Sequence, residues 1–515
     1  MLTIKPHSTT PADDTVHSAS QKTRRMAFVI WNFFPMETDT FRRTVDSAAA
    51  KGFTTVRLHL AWHNVEKQPL RYDFRVYDEQ IAYIKEKGLD VILTVDLQRR
   101  SHMLDGQKTP CDLVMNTDEF QYPFGKDEPY VHNCGLEMVM ISYASRRGTD
   151  CAVRFYRDTV RHFAEKFGDT IYAAFPTFTP YCETEYWCAD DFDYSDHMRR
   201  AFTTYLEKTY RKIKDLNLDL GTSYESFEDV PMPPSSDRGT LGILFYQCRH
   251  RVLKAFIDRL GEAHKNVAPD TLFAVQFGCV WDGASVRRCT YGFRELSASA
   301  DLVVVDDAPK FDHAYSMDYI ASAFAGSGKE IGNEIDGHYM IRNGTCTAED
   351  YIEQGVTSYR HNATMLYVAN WYEGDDFDNN GYIFSTIADE YITAKEPFCV
   401  SEDITEEQPL DISLRKLFET GDGNYYQSYY RAYTASGAQF GRMNLHDDLT
   451  TAVFPNSVEG KKAPKFPEPQ DPASPAVIFR RKARAAAMAT VAVASAIVIL
   501  AAGAAAKILL SDEDE

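Results

Sequence analysis

The chain has 515 residues, 44% of them hydrophobic and 25% charged, which excludes a collagen-like, low-complexity or largely disordered protein. Its 55 Lys and Arg stand against 75 Asp and Glu, a net charge of −20, so a nucleic-acid backbone would meet repulsion and no nucleic-acid partner is expected. Ten cysteines lie singly with no CxxC or Cys/His cluster, which gives no zinc site, disulfide framework or other cofactor to expect.

Residues 1–25 are polar and lack the apolar core of a secretory signal, and they form a disordered N-terminal segment in this reading. From Met26 onward, short β-rich runs alternate with longer amphipathic ones. Strands are expected at Ala27–Asn32, Thr54–Leu60, Asp90–Val95, Ile171–Phe178, Leu272–Phe277, Leu302–Asp306, Lys329–Asn333 and Met365–Asn370. Helices follow at Thr40–Ala50, Tyr77–Lys87, Ala152–Phe167, Asp196–Asp215 and Leu241–Lys265. Eight such units predict an α/β fold, a (β/α)8 TIM barrel over residues 26–400, with catalytic residues at the C-terminal strand ends. The competing fold is a doubly wound open sheet, but NFFPMETD after the first strand carries no glycine-rich phosphate fingerprint. Pro176 cannot donate to a ladder, so the fourth strand should bulge or stop early. The long segments Leu97–Asp150 and Leu216–Arg238 are the expected walls of a cleft.

Along TTVRLHLAW the alternation sends Val56, Leu58 and Leu60 to the helix layer and Thr55, Arg57 and His59 into the barrel. A buried arginine requires a carboxylate, either as a structural pair or to orient a catalytic acid. TFTPYCETEYW, at the end of the fourth strand, places Glu183 and Glu185 among Tyr181, Tyr186 and Trp187. Apolar surroundings and a nearby like charge raise a carboxyl pKa, the condition for a general acid. GKEIGNEIDGHY, at the seventh strand, supplies Glu334 after Asn333. An acid on each of these two strands would face the other across the mouth, as glycoside hydrolysis requires. On the eighth strand Trp371 is placed either to stack on a sugar or to cap the core. The candidate set is therefore Glu183, Glu334 and Glu185 for catalysis, with Arg57, His59, Asn333, Tyr186 and Trp371 for substrate binding and no metal.

Beyond the barrel, 401–453 reads as an extension packed on it and 454–479 as a proline-rich spacer. Residues 480–515 hold a basic flank, the uncharged 22-residue run Ala485–Ala506 and an acidic tail. At about 1.5 Å per residue that run can cross a hydrocarbon layer of roughly 30 Å. A single-pass C-terminal transmembrane helix is expected, and Arg480, Arg481, Lys482 and Arg484 would keep the preceding chain cytoplasmic.

GFTTVRLHLAWHNVEKQPLRYDFRVYDEQIAYIKEKGLDVILTV is similar to the second and third barrel units of clan A glycoside hydrolases. MRRAFTTYLEKTYRKIKDLNLDLGTSYESFEDVPMPP resembles the segment after the acid/base strand of family 42 β-galactosidases, and GKEIGNEIDG resembles their nucleophile strand. The resemblance covers roughly residues 26–400. It implies a carbohydrate substrate and a retaining double displacement in which Glu334 attacks and a strand-four glutamate, Glu183 or Glu185, is the acid/base. Clan A acid/base glutamates usually follow an asparagine, whereas here Cys182 precedes Glu183 and Thr184 precedes Glu185. The alternatives are an inverting glycosidase and a catalytically degenerate barrel that binds carbohydrate or protein.

Overall fold

The computed structural model describes residues 24–389 with interruptions, the longest at 101–118, 336–346 and 370–380. Eight parallel strands close a barrel: β1 Arg25–Ile30, β2 Thr55–Ala61, β3 Asp90–Asp96, β4 Ile171–Thr177, β5 Leu272–Gly278, β6 Leu302–Asp307, β7 Glu330–Ile335 and β8 Met365–Val368. Each strand pairs with its sequence neighbours, and β8 returns to β1 through the register Arg25 to Met365. This is the (β/α)8 barrel, and the open sheet is excluded by closure. Among the described residues no helix is long and apolar enough to cross a membrane, and the Ala485–Ala506 run lies outside them.

Alternation on the strands divides the core in two. Val56, Leu58 and Leu60 join the large cluster between sheet and helices, while Ala27, Val29, Ile92, Ala173, Phe175, Ala274, Val304 and Tyr367 fill the barrel interior. Around the outside run α1 Thr38–Ala50, α2 Arg75–Glu86, α3 Arg146–Phe167, α4 Asp196–Tyr210, α5 Thr240–Val267, α6 His313–Ala323 and α7 Ala348–Arg360. In α3, Ala152, Phe155, Tyr156, Thr159, Val160 and Phe163 recur at helical spacing and are buried. The Ser145 hydroxyl caps its start by accepting from the Gly148 N–H at 2.9 Å. The predicted helix Asp196–Asp215 is broken. Arg211 turns left-handed at φ 59°, donates its N–H to the Glu207 carbonyl at 2.8 Å, and a second helix follows at Ile213–Leu220.

Part of the long connection after β3 is a three-stranded antiparallel sheet of Arg99–Arg100, Val131–Asn133 and Glu137–Val139. It lies beside the loop that follows β4: the His132 and Trp187 rings are 6.0 Å apart.

Candidate active site

The barrel interior is apolar toward the N-terminal ends of the strands and polar toward the C-terminal ends. Arg57, Thr94, Gln276 and Glu334 are all nearly or fully buried, at most 3% exposed, and Arg57 and Gln276 converge on the Glu334 carboxyl. Arg57 Nη1 pairs with Glu334 Oε2, and Arg57 Nε donates to the Thr94 hydroxyl at 3.0 Å. Its guanidinium also lies over the rings of Phe175, Tyr367 and Trp31, 4.7, 4.8 and 5.3 Å from their centroids. Gln276 Nε2 donates to Glu334 Oε2 at 2.7 Å. Arg57 and Gln276 thereby fix one oxygen of the Glu334 side chain on β7, and the second is uncommitted to these partners. Gly332, two residues earlier on the same face, lets the neighbouring strand β8 approach: a Cβ there would stand 2.8 Å from the Met365 carbonyl oxygen.

Pro176 explains how the second carboxylate arrives. Pairing between β4 and β5 ends at Ala174 and Phe273, because the next ladder position lacks a donor. Thr179, Pro180, Tyr181 and Cys182 form a turn closed by the Cys182 N–H to the Thr179 carbonyl at 3.0 Å, with proline at its favoured second position. Cys182 sits at φ 70°, and the chain doubles back so that the Phe178 N–H donates to the Glu183 carbonyl at 2.9 Å. Thr184 then fills the gap beside β5. Its N–H donates to the Gln276 carbonyl at 2.6 Å, and its hydroxyl donates to the Pro176 carbonyl at 2.9 Å while accepting from the Gln276 N–H at 3.2 Å. The interrupted strand thus presents Glu183 at the barrel mouth.

The two strand-four glutamates have different environments. Glu183 accepts from the Thr179 hydroxyl, and burial, reinforced by the negative charge of Glu334, pushes its carboxyl above the ordinary glutamate value. Thr179 and Arg288 offset part of that shift. Glu185 instead accepts from the Gly278 N–H at 2.9 Å and pairs with Arg288 Nε at 3.1 Å. Gly278 permits this approach, since a Cβ there would stand 2.9 Å from the Arg288 guanidinium carbon. Glu185 is anchored by a backbone N–H and a guanidinium, so the two acids are not interchangeable.

Of the expected binding residues, His59 lies on the interior face with Arg57, its Nε2 3.3 Å from Asp96 Oδ2. Asn333 points the other way, to the helix layer, where its amide donates to His313 Nδ1 and to the Ser358 hydroxyl at 2.9 Å each. Its odd position next to Glu334 on an alternating strand requires this. Tyr186 is fully buried core, packed on Tyr143 and under the Arg249 guanidinium, 4.3 Å from its ring centroid. Trp371 lies outside the described residues. Sequence reasoning missed Thr94, Gln276 and Thr179. The first two are polar residues at interior positions of the strand segments VILTVD and LFAVQFG, a signal available in the alternation. Among the described residues no group of three His, Cys, Asp or Glu side chains could hold a metal ion.

A (β/α)8 barrel with acids at the ends of its fourth and seventh strands has the architecture of a glycoside hydrolase. The family model described as Beta-galactosidase matches residues 30–318, more than half of the chain, and the protein belongs to that family, the family 42 glycoside hydrolases. The matched range includes Glu183 and ends before Glu334. Solved structures of similar fold include the beta-amylase catalytic domain of Paenibacillus polymyxa, at 12% identity and TM-score 0.57, covering 73% of this chain and all of that one. The β-galactosidase of Halorubrum lacusprofundi is 15% identical with TM-score 0.60, covering 80% of this chain and 65% of that one. The β-galactosidase of Marinomonas ef1 is 11% identical with TM-score 0.59, covering 80% and 68%. At these identities the likeness concerns the fold. No curated protein sequence matches the chain.

Proposed function

We propose that the protein is a retaining β-glycosidase, β-galactosidase-like in substrate, that works by double displacement. The observation that carries this is the asymmetry of two buried carboxyls: Glu334 is paired with Arg57 and hydrogen-bonded by Gln276, while burial and the charge of Glu334 favour a protonated Glu183. In the first step a Glu334 oxygen attacks the anomeric carbon. The bond to the leaving oxygen breaks with its electron pair, and Glu183 gives that oxygen its proton. In the second, Glu183 as carboxylate takes a proton from water, whose oxygen displaces Glu334 from the sugar. Membership of the glycoside hydrolase family supports the reaction class.

A panel of aryl β-glycosides, incubated with the full chain in detergent, tests the activity, and proton NMR of the first-formed sugar tests the stereochemistry. Release of the β-anomer is expected. The α-anomer would establish inversion, and no turnover on any member would leave a carbohydrate-binding barrel. The Ala485–Ala506 run, with its basic flank, supports a tethered enzyme whose barrel is cytoplasmic. Placing lysines at Val493 and Ile497 should move it from the membrane fraction to the supernatant. Retention of the doubly charged variant in the membrane would refute the anchor.

A further inference from the structure

One wall of the mouth, formed by the ends of β2 and β3, carries polar groups that the double displacement does not use. Asp96 is fully buried, and both of its oxygens are committed. Oδ1 accepts from the Gln98 N–H at 2.9 Å and from Gln98 Nε2 at 3.2 Å, while Oδ2 faces His59 Nε2. Gln98 Nε2 also donates to the Thr179 carbonyl at 2.7 Å. Those two acceptors fix which end of the amide is nitrogen, so Oε1 is the atom left over. Likewise, with Nε2 turned to the Asp96 carboxylate, Nδ1 is the His59 ring nitrogen left over. The ring is held in place by Phe33 and Trp31, whose centroids lie 4.5 and 5.7 Å away.

His59 Nδ1 and Gln98 Oε1 are both buried and have no hydrogen-bond partner among the described residues. Two buried polar atoms left unpaired are costly unless a ligand hydrogen-bonds to them. His59 is two residues beyond Arg57 on the same face of β2, about 7 Å further toward the mouth. A sugar ring whose anomeric carbon lies at Glu334 can extend over that distance.

We propose that His59 and Gln98, both fixed by Asp96, recognise two adjacent hydroxyls of the glycone. Each hydrogen-bonds one hydroxyl, so the pair selects a pyranose with a free vicinal diol on the side away from the leaving group. This rests on the glycosidase site proposed above and adds to it the part that identifies the sugar. Because Gln98 also holds the Thr179 carbonyl, and Thr179 holds Glu183, the recognition wall and the acid/base loop form one hydrogen-bonded unit.

The test is calorimetric binding to the full chain of methyl β-galactoside, methyl β-glucoside and the 2-, 3-, 4- and 6-deoxy analogues of the galactoside. The wild type should lose about tenfold or more in affinity on two deoxy analogues at neighbouring positions, as expected when a buried polar atom is left unpaired. His59→Phe should reduce one of these penalties to within about twofold, and Gln98→Leu should reduce the other. Gln98→Leu alone decides the matter if the phenylalanine variant does not fold. Equal penalties in wild type and variants at every position, or no binding by any of the six glycosides, would overturn the proposal. Selective binding without turnover would sustain it while refuting the hydrolase reading, and turnover with unselective binding would do the reverse.

Discussion

Replacing Arg57 by methionine keeps most of the aliphatic volume and removes the charge. The guanidinium gives Glu334 an ion pair, gives Thr94 a hydrogen bond and lies over three aromatic rings. Both members of the pair are almost wholly buried, at 0% and 4% side-chain exposure. The loss is therefore dominated by the stranded Glu334 carboxylate, left with Gln276 as its donor in this set. Removing one partner of a buried pair costs about 3–5 kcal/mol. If about 4 kcal/mol of that is orientation that the proposed attack by Glu334 needs, turnover falls by roughly three orders of magnitude at about 1.36 kcal/mol per decade. The assay is a cycle of four proteins, wild type, Arg57→Met, Glu334→Gln and the double variant, followed by thermal midpoint and kcat. The double variant should be more stable than Arg57→Met alone, because an uncharged pair carries no uncompensated ion. Additive losses in the cycle, or an Arg57→Met enzyme within tenfold of wild-type turnover, would refute the reasoning.

Glu183→Ala should lose most activity on substrates with poor leaving groups, retain it on activated aryl glycosides and be rescued by azide. Because burial raises the Glu183 carboxyl above the ordinary range, wild-type activity should fall on the alkaline side as pH rises through that raised value, and Glu183→Gln should lack this limb; an unchanged limb would remove Glu183 as the acid. Glu185→Gln should behave differently, lowering the thermal midpoint by releasing Arg288 and the β5 end while azide restores nothing; azide rescue there would reverse the two assignments. His264 is fully buried between the Tyr156 hydroxyl and the Thr271 carbonyl, and burial lowers its pKa from 6.5 to about 4. The unfolded chain therefore binds this proton first as pH falls. Stability should drop by about 3 kcal/mol between about pH 6.5 and 4 and no further on this account, and His264→Met should flatten that interval in thermal melts at stepped pH.

Much of the barrel was legible because closure needs eight strands in order, and the apolar runs report each of them. Arg57 and His59 followed from parity alone, and so could Asn333 have done: the alternation that puts Glu334 inside puts Asn333 outside. The helix break at Arg211 left no mark, since no glycine or proline signals a left-handed arginine. Pro176 did signal the interrupted strand. What sequence could not supply was the return of Thr184 to the ladder, and with it the distinction between Glu183 and Glu185. That distinction depends on Gly278, Gln276 and Arg288, which are about a hundred residues away along the chain.

The central claim is that Glu334 forms a covalent bond to the sugar. A 2-deoxy-2-fluoro-β-galactoside with a good leaving group, incubated with the full chain, should form the glycosyl-enzyme faster than it is hydrolysed, because the fluorine destabilises both cation-like transition states and the activated leaving group compensates only the first. Peptide mass spectrometry should then find the added fluorosugar on the peptide bearing Glu334, and Glu334→Gln should acquire none. A label on Glu183 or Glu185, or turnover of unmodified aryl galactosides by Glu334→Gln at more than a few per cent of the wild-type rate, would contradict the account.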